Sequence, residues 1–220
     1  MTILAVTGLA KEAKIVGTAG VIAVAGGGDS TSLEAKLNAL HGDIRGVISI
    51  GLAGALSPLL KAGDVIIADR ILTGAESWDC QDGWRVRLES RLPFARQGAL
   101  FGSDVIIEHP ETKSGLHDAT GALAVDMESQ VAARFAASRN LPLAGLRVIS
   151  DDATHVLPPA ALVAMKPDGG IALGRVLLSL LKKPAQIPAL VHTAQTSNKA
   201  FAELLRCRDL CGVGFAGADL

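Results

Sequence analysis

Apolar residues run along this chain in short unbroken stretches, separated by segments in which they recur at helical spacing. ILAVTG (3–8), VIAVAG (21–26), GVISIGLAG (46–54), DVIIADRIL (64–72), ALFGSDVII (99–107) and LAGLRVIS (143–150) read as β-strands buried on both faces, being short and rich in Val and Ile. Apolar spacing of three and four residues predicts helices over 30–41, 110–118, 127–140, 169–182 and 185–208. Strands alternating with helices predict an α/β fold with a largely parallel sheet covered on both sides. In such sheets the chemistry collects at the carboxyl ends of the strands.

Three segments interrupt the alternation. Thr73 to Arg91 carries both tryptophans, Trp78 and Trp84, in polar, Gly-containing sequence and reads as a loop or hairpin excursion. It either contributes to a substrate mouth or packs an aromatic onto the core. Pro158 and Pro159 break the chain after the last strand. The ending GVGFAGADL is Gly-rich and is expected to be loosely held, which divides the chain into one domain over 1–209 and a tail over 210–220.

With 220 residues, 49% of them hydrophobic, the chain can bury a core of single-domain size. A net charge of −1, with Lys and Arg scattered, gives no footprint for nucleic acid. Cys80, Cys207 and Cys211 are an odd number without a CxxC pair, so neither a disulfide framework nor a metal site is expected. The opening MTILAVTG runs straight into a strand without a basic leader, and no apolar run reaches the roughly 20 residues of a membrane span, so a cytoplasmic protein is expected. Lys182 and Lys183 follow an amphipathic Leu-rich stretch; they are either a solvated helix end or a peripheral contact for an anionic membrane.

Candidate chemistry sits at strand ends. In TGLAKEAKI, Glu12 lies just after Gly8, where an acid in the first turn of a helix also suits the dipole. In VAGGGDSTS, Gly26, Gly27, Gly28 and Ser30 form a corner able to receive an anion, a phosphate or water; a glycine turn with an N-cap accounts for it equally. In LAVDMESQ, Asp126, Met127 and Glu128 stand where a strand becomes a helix. In RVISDD, Ser150 and Asp151 close a strand; an acid held there in a partly dry cleft can donate a proton, or merely cap the next turn.

Together these pieces resemble the nucleoside phosphorylase and nucleosidase superfamily. ISIGLAGALSPLLKAGDVIIAD is similar to the central Gly-rich strand and loop of the methylthioadenosine/S-adenosylhomocysteine nucleosidases, ALFGSDVII to their base-binding segment, and AVDMES with RVISD to their ribose-binding and catalytic-acid motifs. VDMES, RVISDDATHVLPPA and KPDGGIALGRVLLSLLKKPAQIPAL further resemble the hopanoid-associated phosphorylases, which remove adenine from adenosylhopane. The resemblance implies a three-layer α/β/α sandwich around a central mixed, mostly parallel sheet, a homodimer, and cleavage of the N-glycosidic bond of a purine nucleoside, lipid-linked in the hopanoid-associated case, by either phosphorolysis or hydrolysis. Neither a metal nor an organic cofactor is implied, inorganic phosphate entering only as a co-substrate. The alternatives are a different purine nucleosidase and a noncatalytic nucleoside-binding module.

The same resemblance implies roles. Asp151 would protonate the leaving base, Glu128 would bind the ribose and steady its positive charge, and Met127 would lie against the sugar, with Asp126 in support. The backbone of Val105, Ile106 and Ile107 would read the purine, beside Gly51, Leu52 and Ser150. Glu12 would activate water, although it falls one position nearer Gly8 than in the methylthioadenosine enzymes, a turn of about 100 degrees on a helix. Ser49 and Leu52 stand where the phosphorylases have an arginine and a serine, leaving Lys113 as a conceivable phosphate partner. Leu56, Leu59, Leu60 and Trp78 are candidates for extending an apolar surface from Leu52.

Overall fold

The structure is a computed structural model and describes residues 2–162, 168–170 and 172–217. Its strands are β1 (Thr2–Thr7), β2 (Val21–Ala25), β3 (Ile44–Ala55), β4 (Val65–Leu72), β5 (Ser77–Asp79), β6 (Arg96–Gly102), β7 (Ala124–Asp126) and β8 (Leu143–Asp151). Its α-helices are α1 (Ala10–Val16), α2 (Ser30–Asn38), α3 (Asp82–Arg91), α4 (Pro110–Thr120), α5 (Ser129–Ser138), α6 (Pro159–Leu162), α7 (Leu173–Lys182) and α8 (Ile187–Cys211). The fold is the expected mixed α/β sandwich. β1 pairs parallel with β2 and β3, β3 with β8, and β6 with β4 and β7, while β3–β7, β4–β8 and β4–β5 are antiparallel. Because β8 bonds to both β3 and β4, the strands β3, β7, β6, β4 and β8 close on themselves as a ring.

The period of two along each strand divides the core into two layers. Leu4 and Val6 of β1 pack with Leu33 and Leu37 of α2 and with Val131, Ala132 and Phe135 of α5. Ile3 and Ala5 face the other way, with Trp84 and Leu88 of α3 and Ala200, Leu204 and Cys207 of α8. Both layers are closed by helices, which is why the strands carry so few polar residues.

Several expectations are corrected. The segment from Thr73 to Arg91 begins as a hairpin, as one of the two readings had it, with β5 antiparallel to β4 across a turn closed by Thr73 N donating to Glu76 O. It then forms the unexpected α3, whose N-terminus is capped by the Gln81 side chain accepting from the Trp84 N–H. Only Trp84 and Leu88, four residues apart, bury themselves along α3, a stripe too thin to read as a helix in DGWRVRLESR. Neither tryptophan forms a substrate mouth, since Trp84 is fully buried and Trp78 packs against the α5 layer. The strand expected over 99–107 ends at Gly102 and gives way to a loop. Of the ending expected to be loose, the part as far as Gly217 is docked: Phe215 is fully buried and its carbonyl accepts from Trp84 Nε1 at 2.7 Å, while 218–220 lie outside the described residues. Cys207 and Cys211 are free and buried in the same layer. No helix among the described residues is long and apolar enough to cross a membrane. Part of the KPDGG stretch, and Ile171 in the helix expected from 169, lie outside the described residues.

Candidate active site

The carboxyl ends of β1, β3, β7 and β8 meet at a cavity of about 210 Å³. Glu12, Leu52, Asp126, Met127, Glu128, Ser150, Asp151 and the Val105–Ile107 loop all line it, joined by Leu157 and by Ser197 from α8. Residues far apart in sequence are thus gathered by the sheet, as strand ends in such folds require.

Three of the four acids, Glu12, Glu128 and Asp151, reach the cavity over a glycine. A Cβ on Gly51 would stand 2.8 Å from Glu12 Oε2, one on Gly8 3.0 Å from Glu128 Oε2, and one on Gly54 3.0 Å from Asp151 Oδ2. Any side chain at these positions would displace a carboxyl group, so close approach is what Gly8 and Gly54 supply, and Gly51 adds a backbone φ of +157° that side chains rarely adopt.

Glu12 is held by backbone alone: Gly8 N and Leu9 N each donate to Oε2 at 2.8 Å, and Leu52 N donates to Oε1 at 3.0 Å. Burial pushes its carboxyl above the ordinary range, opposed by the N–H groups of Leu9 and Leu52, the Arg147 charge and the N–H of Gly8. Its position one residue nearer Gly8 therefore does not turn it away from the cavity. Burial, reinforced by the neighbouring charge of Asp126, pushes Glu128 up to about 8. Asp126 is a scaffold: its Oδ1 accepts from Glu128 N at 2.9 Å and Ser129 N at 2.7 Å, closing the first turn of α5, and from Arg147 Nη2 at 2.9 Å.

Arg147, on β8 in register with Gly51, was invisible as a site residue in the sequence. Fully buried, it spans Asp126 and Ser49, donating through Nη2 to Ser49 Oγ at 2.7 Å. It supplies the positive charge behind three acids. An arginine inside a strand pattern, four residues before Asp151, was the available signal.

Asp151 is also buried and doubly bonded. Ser150 Oγ donates to Oδ1 at 2.8 Å, and Lys113 Nζ reaches Oδ2 at 2.5 Å. Lys113 is therefore not a free phosphate partner: it is fully enclosed, its remaining bonds running to the carbonyls of Asp152 at 3.2 Å and His155 at 3.4 Å.

The glycine corner lies elsewhere. The N–H groups of Gly26 and Gly27 donate to Thr7 O and Gly8 O, so they are not available to an anion. Gly28 and Ser30 line a separate surface pocket, where Ser30 Oγ donates to Asp104 at 2.8 Å. Gly26 is required instead because a Cβ there would stand 3.0 Å from Glu128 Cγ. Val105 keeps its place at the cavity, although Ser103 Oγ engages both its N–H and its carbonyl. Leu56 and Leu60 are core residues, and Leu59 is exposed away from the cavity, so only Leu52 of that group lines it.

Residues 79–182 match the phosphorylase superfamily. A 5′-methylthioadenosine/S-adenosylhomocysteine nucleosidase of Mycobacterium bovis is 27% identical over 175 residues, covering 60% of this chain and 69% of the relative. The S-adenosylhomocysteine nucleosidase of Streptococcus pyogenes in complex with 5-methylthiotubericidin superimposes with a TM-score of 0.63 at 18% identity, over 92% of this chain and 96% of that one. Futalosine hydrolase of Helicobacter pylori does so with a TM-score of 0.64 at 14% identity, over 95% of this chain and 97% of that one. The matched stretch runs from the end of β5 to the end of α7 and includes Asp126, Glu128 and Asp151, and the chain shares its fold with these two solved structures.

Proposed function

We propose that this protein hydrolyses the N-glycosidic bond of an adenine nucleoside. One observation carries the reading: among the described residues, Glu12, Asp126, Glu128 and Asp151 line the cavity and no basic side chain does. A ring of carboxyl groups stabilises the positive charge that a ribose develops as its base departs, and repels a phosphate dianion. Glu12 then orients and deprotonates the attacking water. Glu128 exchanges hydrogen bonds with the ribose hydroxyls and lies where the sugar turns cationic. Asp151 delivers a proton to a ring nitrogen of the base, because adenine leaves poorly as an anion. The name of the Mycobacterium bovis relative, a methylthioadenosine/S-adenosylhomocysteine nucleosidase, supports the same substrate class.

The favoured substrate carries a long apolar 5′ substituent, with adenosylhopane the leading candidate. A cavity of about 210 Å³ is smaller than the ~300 Å³ at the lower end of typical ligand pockets, so it suits the nucleoside core and leaves a tail outside. Val105 and Val156, at 64% and 50% exposure, offer apolar surface beside it. Leu173, Leu177, Leu178 and Leu181 are exposed on α7 next to Lys182, the composition of a helix lying on an anionic lipid surface. We take the working form to be a homodimer that visits membranes peripherally.

The test is adenine release from adenosylhopane, a soluble 5′-alkyl adenosine and methylthioadenosine, with and without phosphate. Release without phosphate, yielding free ribose derivatives, is expected; release that requires phosphate and yields a 1-phosphate overturns hydrolysis. A kcat/KM no higher for the alkyl nucleoside than for methylthioadenosine overturns the lipid-tailed substrate.

A further inference from the structure

We propose that Lys113 holds the proton that Asp151 passes to the departing base. The inference rests on the hydrolytic reading above. An acid must hold a proton before giving it away, and the surroundings of Asp151 are those of an ionised carboxylate. Its Oδ1 accepts from Ser150 Oγ at 2.8 Å and its Oδ2 from Lys113 Nζ at 2.5 Å. The ammonium is fully enclosed behind the cavity, which Lys113 does not line, and its other bonds run to the main-chain carbonyls of Asp152 and His155. A lysine so placed is closed off from the cavity by Asp151, and its bond to Oδ2 is a direct route for a proton. A lone charge pair in this position would be weak evidence for stability, since desolvation offsets much of its attraction.

The transfer balances as follows. A proton moves from Nζ to Oδ2, leaving a neutral amine; the O–H then gives it to a ring nitrogen of adenine as the bond to C1′ breaks. Water adds to C1′ and its proton goes to Glu12. Once the products leave, Glu12 loses that proton to solvent, and Asp151, which lines the opened cavity, takes one from solvent and returns it to the Lys113 amine. Lys113 acts only through Asp151 and is a positioning residue.

The experiment compares two leaving groups. Methylthioadenosine needs its base protonated, whereas the phenolate of 4-nitrophenyl β-D-ribofuranoside departs as an anion. Wild-type protein is expected to cleave both; failure to cleave either overturns the hydrolytic reading itself. Lys113→Arg keeps the positive charge but gives up no proton. It should lower kcat for methylthioadenosine about 100-fold or more relative to kcat for the nitrophenyl riboside. Lys113→Met should show the same selectivity. Asp151→Asn should match it, and adding Lys113→Arg to Asp151→Asn should cost little more. The proposal is overturned if Lys113→Arg cleaves methylthioadenosine at the wild-type rate. It is equally overturned if Lys113→Arg loses both substrates in parallel, the mark of a merely structural pair.

Discussion

Glu12 and Gly51 share one space: a carboxylate oxygen of the first lies 2.8 Å from where the Cβ of an alanine would stand at the second. Gly51→Ala should therefore displace the carboxylate that Gly8, Leu9 and Leu52 hold and strain the backbone at a φ of +157°, while removing no polar group from the site. We expect kcat to fall at least tenfold and the melting temperature to drop with it, measured by adenine release and by thermal melting. A variant with wild-type kcat would show that Glu12 does not need this position.

Stability should depend on pH through Glu128. Its folded value, about 8, lies above the ordinary 4.5, so the folded chain binds this proton more tightly than the unfolded chain does. Stability from this group is complete below about 4.5 and is lost as pH rises to about 8. Glu128→Gln keeps the shape without the ionisation. It should melt above wild type at pH 9, converge with it near pH 5, and lose glycosidic cleavage. Parallel melting curves at all pH values would contradict the assignment.

Arg147 balances Asp126, Glu12 and Glu128 from behind. Arg147→Met leaves those acids uncompensated in the core, and removal of one partner from a buried pair costs about 3–5 kcal/mol. Ser49→Ala removes a single hydrogen bond and should cost about 1 kcal/mol. Urea unfolding of the two variants checks the ratio, and equal losses would argue against Arg147 as the charge centre.

The C-terminal ending is a structural part of the sheet's outer layer. Phe215→Ala should cost about 3–5 kcal/mol, like other large-to-small core substitutions. Native protein should resist proteolytic clipping between Cys211 and Gly217. Burial pushes the Cys80, Cys207 and Cys211 thiols up to about 12. None should react with a disulfide reagent until denaturant is added. Rapid labelling of Cys211 in native buffer would show that the ending opens.

Much of this was legible in advance where one physical rule acts alone. Runs such as VIAVAG and LAGLRVIS announce strands because they are covered on both sides, and the DMES corner announces a helix start beside a strand end. α3 stayed hidden because its buried stripe is two side chains wide. The docking of Phe215 stayed hidden because glycines around it suggest looseness, whereas its anchor, Trp84, lies more than a hundred residues earlier. Within the site, Glu12, Glu128 and Asp151 were readable as acids at strand ends. Arg147 and Lys113 were not, since a buried cation is recognisable only once its partner's position in space is known. The Gly26–Gly28 corner misled for the converse reason: a phosphate cradle and a tight backbone crossing look the same as letters.

The closed ring of β3, β7, β6, β4 and β8 has a consequence for how the protein comes into being. β8 begins at Leu143 yet must insert between β3 and β4, so the ring cannot close until about two thirds of the chain has left the ribosome. Pairings of such long sequence separation form slowly. The strand that closes the ring also delivers Arg147 and Asp151. Nascent chains are thus expected to be inert until a late step that completes the sheet and the acid cluster together.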